Sequence, residues 1–419
     1  MARAGSSQTI PDPGRALLDP ARYAREGYPD ALFKRLRDEA PVFRVGDPMV
    51  PYWAITRHRD IVEICRDPEV FSNLPQFQIN IDAPFGSADA REPETIIQMD
   101  PPLHRRYREL VSHRFTPRAL MSVEAALDPI ADEVIDALAA EGSSGSCDFV
   151  ERLATPFPMA VISWLLEVPR VDWPLLFEWT NGVVAPNEPE YQRAGETPHE
   201  TRLRCSKSLY DYFGDLARER EKGDGDDLVT LLAKARVDGQ PLPPHVLSSY
   251  YMLLIVAGNE TTRNAISGGL HAFLEHPALW DQLAANPRLA RDAGEECLRW
   301  TTPVVQMART ATRDVELHGE KIRAGDTLAC FYASANRDER VFDAPFEFRL
   351  DRRPNPHLAF GIGEHFCVGA HLARIELRSM LRRLTARFER FEAAGAPERL
   401  QSSTTGGWKR LPVRYALKS

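Results

Sequence analysis

Phe360-Gly361-Ile362-Gly363-Glu364-His365-Phe366-Cys367-Val368-Gly369 is the stretch on which the reading of this chain turns. Its three glycines permit backbone conformations closed to other residues and let the main chain approach a flat ligand. The run leads straight into helical patterning over residues 370–388, so Cys367 falls at or just before a helix N-terminus. Free N–H groups and the helix dipole favour a thiolate over a thiol there. A single thiolate without Cys or His co-ligands at short spacing suits a haem iron, whose four in-plane positions the porphyrin already fills. An isolated cysteine beside a glycine turn is more often an inert core residue. Here the glycines, His365 and the helix start occur together.

The longest helical pattern begins at Pro243-Pro244, good first-turn residues, and stops at His276-Pro277. At 1.5 Å per residue, about 33 residues would span roughly 50 Å, enough to cross a domain. Yet its apolar middle reads Ala257-Gly258-Asn259-Glu260-Thr261-Thr262. Gly, Asn and Thr are weak helix formers, and a buried carboxylate is costly. Broken local rules at the centre of a buried element point to a functional site.

Around these two segments the pattern is mainly helical. Residues 127–139, 157–166, 209–220 and 227–235 carry apolar side chains at i, i+3, i+4 spacing. Residues 42–56 read as short strands joined by a Gly46-Asp47-Pro48 turn, with further β signals at 312–317, 327–331 and 410–415. Residues 141–146 and 184–200 read as loops, and the second is long enough to form a lid over a ligand site. The expected fold class is mainly α with small β-sheets: an N-terminal extension over residues 1–22, then a single domain over 23–419.

The composition suits a soluble globular enzyme: 419 residues, 43% apolar, 52 basic against 60 acidic side chains and a net charge of −8. An acidic chain is a poor nonspecific binder of nucleic acid. The first 30 residues lack a signal-peptide core, and the longest apolar run, residues 250–258, is about half a bilayer span. No membrane anchor is expected. The six cysteines (Cys65, Cys147, Cys205, Cys297, Cys330, Cys367) show no C-x-x-C pair, which disfavours zinc and disulfide scaffolds and fits a cytoplasmic location.

The cysteine segment resembles the haem-binding signature of the cytochrome P-450 family, Phe-Gly-x-Gly-x-His-x-Cys-x-Gly, at every fixed position. Glu296-Cys297-Leu298-Arg299 resembles that family's Glu-x-x-Arg pair. Residues 257–262 resemble its oxygen-activation motif, Ala/Gly-Gly-x-Asp/Glu-Thr-Thr/Ser. The likeness runs from about residue 23 to residue 415, so it covers nearly the whole chain.

The resemblance implies haem b (iron protoporphyrin IX) held between the long central helix and the cysteine loop, with Cys367 as axial iron ligand. His104, Arg108, Arg309 and His365 match the propionate-binding positions. Glu260 and Thr261 match the acid–alcohol pair that supplies protons when dioxygen is cleaved. Glu296 and Arg299 would join a meander running from Asn336-Arg337-Asp338 to Arg349, a structural role. The substrate pocket would be lined by residues 77–95, the lid, Val256 and Ala257, Val304, Val305 and Met307, and residues 403–405 including Thr405. Its apolar side chains suit a hydrophobic substrate. The reaction expected is insertion of one atom of O2 into a hydrophobic small molecule of steroid, terpenoid or fatty-chain type.

Electrons would come from a separate ferredoxin and NAD(P)H ferredoxin reductase, since no flavin or nicotinamide domain is evident. Arg105, Arg106, Arg374, Arg378, Arg382 and Arg383 would attract an acidic ferredoxin, unless they are paired internally. Peroxide-driven oxidation and noncatalytic haem sensing are the alternatives. Peroxide-driven relatives are expected to lack the acid–alcohol pair found here as Glu260-Thr261, and mere haem binding does not need proton delivery, so the pair argues against both.

Overall fold

The computed structural model describes residues 14–46, 51–79 and 95–418. Its axis is the central helix Pro244–Glu275, 32 residues long and opened by Pro244. Every residue from 262 to 270 is buried, so this helix is the core around which the others pack. Pro156–Leu165, Trp173–Val184, Pro198–Arg220, Ala290–Thr301 and Ala370–Arg387 all lie against it. Gly268 and Gly269 set one crossing: a Cβ on either would collide with Thr301 or Cys297 of Ala290–Thr301. Only a bare backbone admits that helix so closely.

The largest sheet orders Val42–Val45, Tyr52–Ile55, Thr327–Phe331, Gln306–Ala311 and Phe71–Ser72 side by side. Tyr52–Ile55 and Thr327–Phe331 run parallel, and the other neighbours are antiparallel. Apolar side chains fill both faces, Trp53, Ile55 and Leu328 on one and Tyr52, Ala54 and Phe331 on the other.

Several expectations need correction. Residues 144–148, inside the expected loop 141–146 and just beyond it, form a strand against Pro412–Leu417. Ser-Gly-Ser-Cys-Asp has no apolar alternation, so only its partner reveals it. The expected lid 184–200 is shorter, because the helix Pro198–Arg220 starts within it. Thr197 and Glu200 cap each other's backbone there, a capping box readable as Thr-x-x-Glu. Within the expected N-terminal extension, Leu17 and Leu18 are buried in one cluster with Tyr23 and Phe33. Asp47 and Pro48 of the expected turn lie outside the described residues.

The Glu-x-x-Arg pair is buried. Arg299 Nη2 and Nε donate to Glu296 at 2.6 and 2.8 Å, and Arg299 Nη1 reaches the carbonyls of Asn336 and Pro345 at 3.0 and 2.8 Å. The third partner is Arg352, whose Nε lies 3.1 Å from Glu296 Oε2. Arg349 gives Glu296 only its backbone N–H, while its guanidinium turns outward to Asp343 and Asp351. Removing one partner from a buried ion cluster leaves an uncompensated charge, at a cost of about 3–5 kcal/mol. Among the described residues no helix is long and apolar enough to cross a membrane.

Candidate active site

The cysteine loop owes its shape to two left-handed glycines, Gly361 at φ 67° and Gly363 at φ 79°. A Cβ on Gly363 would collide with the backbone carbonyl of Cys65. The loop then folds back so that Cys367 N donates to Phe360 O at 3.0 Å, and the helix Ala370–Arg387 begins three residues later. Burial pushes the Cys367 thiol up, while the Gly369 N–H and the positive charges of Arg108 and Arg374 pull it down. The helix start therefore does not by itself outweigh desolvation, and a bound metal ion supplies the charge that deprotonates a coordinating thiol.

Beside the thiol, four basic side chains converge. His104, Arg108, Arg309, His365 and Cys367 line one cavity. The His104 and His365 rings lie against each other with centroids 4.0 Å apart and planes tilted by 37°. Arg108 donates to the carbonyls of Glu364 and Phe366, and Arg309 to that of Ala308 at 2.7 Å. His365 is pushed down to about 2 by its burial, then by the charges of His104, Arg309 and Arg108. Its Nε2 is buried without a partner. Such a cluster is built for anions, and two propionates would satisfy it. Among the described residues no three or more His, Cys, Asp or Glu converge as a metal cage. Thiol, glycine cradle and cationic wall together fit haem b.

Opposite the loop, the central helix presents Ala257, Gly258, Thr261 and Thr262 to the same cavity. Thr261 Oγ1 donates to Ala257 O at 2.8 Å, one turn back. Gly258 leaves room for Ile162 to ride on the helix, within 3.0 Å of where a Cβ would stand. Glu260 is off the cavity wall. It is 1% exposed and turned toward the helix Trp173–Val184, where Arg263 and Asn264 donate to its Oε1 and Arg263 also reaches Asn181. Glu260 Oε2 has no partner.

The profile of the family described as Cytochrome P-450 matches residues 158–417. The chain belongs to the cytochrome P-450 family. A Mycobacterium tuberculosis steroid C26-monooxygenase is 38% identical over 431 residues, covering 97% of this chain and 95% of that one. A methyl-branched lipid omega-hydroxylase of the same species is 37% identical over 401 residues, covering 92% and 91%. A Mycobacterium marinum cytochrome P-450 solved with pseudoionone superposes with a TM-score of 0.87 at 33% identity, covering 98% and 100%. This cytochrome P-450 is thus a haem b monooxygenase, with O2 and a hydrophobic molecule as reactants.

Of the expected pocket residues, Ala257, Val304 and Met307 line the cavity of this P-450. Val256, Val305 and Thr405 do not, and each has a local reason. Val256 lies one step round the helix, partly buried against the main core. Val305 is fully buried on the far side of the sheet with Ala329 and Phe331. Thr405 pairs with Val304 as an isolated β-bridge behind the wall. Residues 80–94 of the expected loop lie outside the described residues.

Glu376, unread in the sequence, lines the cavity from the cysteine helix Ala370–Arg387. Its Oε2 is buried without a partner, and burial alone pushes its carboxyl far above the usual range. Leu372, Ala373, Glu376 and Leu377 share one helical face, so a carboxylate in an apolar stripe was the available signal.

Proposed function

We propose that this P-450 hydroxylates a hydrophobic small molecule of steroid, terpenoid or fatty-chain type. The observation that carries this is the apolar wall of Ala257, Val304 and Met307 facing the same cavity as Thr261. It is supported by relatives named for steroid and methyl-branched lipid oxidation and by a structural neighbour solved with pseudoionone.

Cys367 and the His104, Arg108, Arg309 and His365 cluster would hold the haem, which supplies activation of O2 and oxygen insertion when bound. Thr261 holds a proton at Oγ1 on the cavity wall, and in exchanging its bond to Ala257 O it can pass that proton inward. Once Arg263 and Asn264 release the carboxylate, Glu260 takes up a proton from solvent at the unpartnered Oε2 and hands it on to Thr261. The apolar lining excludes bulk water from the substrate.

Electrons come from a separate ferredoxin and its NAD(P)H ferredoxin reductase. The six arginines expected to attract the ferredoxin each face a carboxylate: Arg105 with Glu364, Arg106 with Asp238, Arg374 with Glu295, Arg378 with Glu124, Arg382 with Asp128 and Arg383 with Asp132. Docking therefore rests less on charge than their number suggests. Six free thiols fit a reducing, cytoplasmic setting.

The test is a spectral titration of the haem protein with testosterone, pseudoionone and a methyl-branched fatty acid, followed by product analysis with a surrogate ferredoxin pair and NADPH. A saturable Soret shift with a hydroxylated product is expected from at least one of them. No shift with any, or shifts without product, would overturn the reading.

A further inference from the structure

A second cavity of about 470 Å³ opens between the helices Leu120–Ala139 and Pro156–Leu165, the start of Trp173–Val184 and the start of Leu228–Lys234. That volume is typical of small-molecule sites. Phe115, Val123, Trp164, Val168, Trp173 and Leu228 give it an aromatic and aliphatic lining. Trp164 is 46% exposed, and Met121 and Val171, each adjacent in sequence to a lining residue, are 64% and 82% exposed.

Its charged groups are spoken for. Arg114 pairs with Asp226, and Arg170 with Glu133. Arg220 serves both Glu167 and Asp227, at 2.9 and 3.3 Å, and Asp227 also caps Val229 and Thr230. An ionic ligand would have to break one of these pairs. A neutral one would not.

Phe115 is the one described residue that lines both this cleft and the haem cavity. It ends the turn His113–Phe115 that continues the helix Leu103–Ser112. His104, Arg108, Val111 and Phe115 thus form a single stripe along the haem cavity, at helical spacing. The helix Pro156–Leu165 divides in the same way, with Ile162 on the haem side and Ala160 and Ser163 on the cleft side.

We infer that the cleft is a second binding site, for a neutral hydrophobic small molecule, and that Phe115 is the partition between it and the haem cavity. The ligand class here rests on the proposed substrate class, since one molecule able to occupy both sites would meet the same aliphatic and aromatic surroundings. A ligand seated in the cleft bears on the Phe115 ring, and through it on the helix that carries His104 and Arg108.

The haem protein is first saturated with phenylimidazole, whose nitrogen binds the iron and fills the haem cavity, as the Soret band reports. Nile red, a neutral hydrophobic dye, is then titrated while dye and tryptophan emission are followed. Saturable binding of one dye per chain is expected, with the Soret band unmoved. Ser122→Trp, at an exposed position of the cleft wall, should weaken it at least about tenfold while phenylimidazole binds as in wild type. Equal dye affinity in wild type and Ser122→Trp, or dye binding only when the haem cavity is free, would overturn the site.

Phe115→Ala should join the cavities, so that Nile red now shifts the phenylimidazole Soret band. If that variant does not load haem, Phe115→Leu serves. A Soret response no different from wild type overturns the partition. Failure of the substrate panel at the haem would leave this test intact, because its readout comes from the cleft.

Discussion

Lys409 Nζ lies 2.7 Å from Glu188 Oε2, while Glu188 Oε1 accepts a hydrogen bond from Gln401 N at 2.7 Å. One buried carboxylate therefore ties the segment after the helix Trp173–Val184 to the strand Trp408–Arg410 and the chain leading into residues 402–407. Lys409→Met should lower the Tm, since the Glu188 charge loses its cation. It should also speed binding and release of a hydrophobic ligand severalfold in stopped-flow Soret traces. Unchanged rates would show that this tie holds no route to the cavity.

Cys367→Ser should abolish the red-shifted Soret band of the carbonyl complex and all monooxygenase activity. Cys297→Ser and Cys330→Ser should keep both, since neither lines the cavity. Retention of both by the Cys367 variant would remove it as the iron ligand.

Thr261→Ala should load haem, bind substrate near-normally and still consume NAD(P)H and O2, with hydrogen peroxide replacing product. Glu260→Gln should slow turnover with less diversion to peroxide, because an amide relays no proton. Product yield per NAD(P)H decides it: a wild-type yield from Thr261→Ala would make the hydroxyl merely structural.

Glu376 offers a pH test. Its folded-state carboxyl titrates far above the ordinary 4.5, so the folded protein keeps a proton that the unfolded chain loses. Stability contributed at this site therefore falls as pH rises from the unfolded value toward the raised folded one. Glu376→Gln removes that dependence. Its Tm advantage over wild type should grow between about pH 5 and about pH 8. A constant difference would mean that Glu376 is ionised in the folded protein.

Glu295 works in the opposite sense. Burial opposes its ionisation, but hydrogen bonds from His357 and Arg374 outweigh this and hold it at about 2. A depressed carboxyl contributes stability above its unfolded value and loses it as pH falls through the folded one. Thermal scans of Glu295→Gln should show its destabilisation at neutral pH fading as acidity approaches the folded value. A penalty independent of pH would point to lost packing instead.

The features written locally were legible. Pro243-Pro244 and His276-Pro277 bracket the central helix to within a residue, and Gly361, Gly363 and Cys367 define the cysteine loop from ten consecutive residues. What stayed hidden depends on distant partners. The strand Ser144–Asp148 exists through its pairing with Pro412–Leu417, more than 260 residues away. Arg352 reaches Glu296 from 56 residues off, a relation that no local spacing encodes. The placement of Val305 on the far side of the sheet follows from alternation along the approach to the strand Gln306–Ala311, which brings Val304 and Met307 but not Val305 to the cavity. Glu260 and Thr261 are adjacent in sequence, yet about 100° of helical rotation sends one to the core and the other to the cavity.

Gly363 carries one more consequence, for descent with modification. With its φ at 79° and the Cys65 carbonyl occupying the space of a first side-chain atom, no single substitution there can be absorbed by rotamer change alone. The obstacle is main chain, and main chain does not mutate. A lineage could change this position only by first moving the whole His58–Arg66 helix, which also presents Cys65 to Tyr332. Two segments nearly 300 residues apart are thereby obliged to vary together, and the missing atom acts as the lock on both.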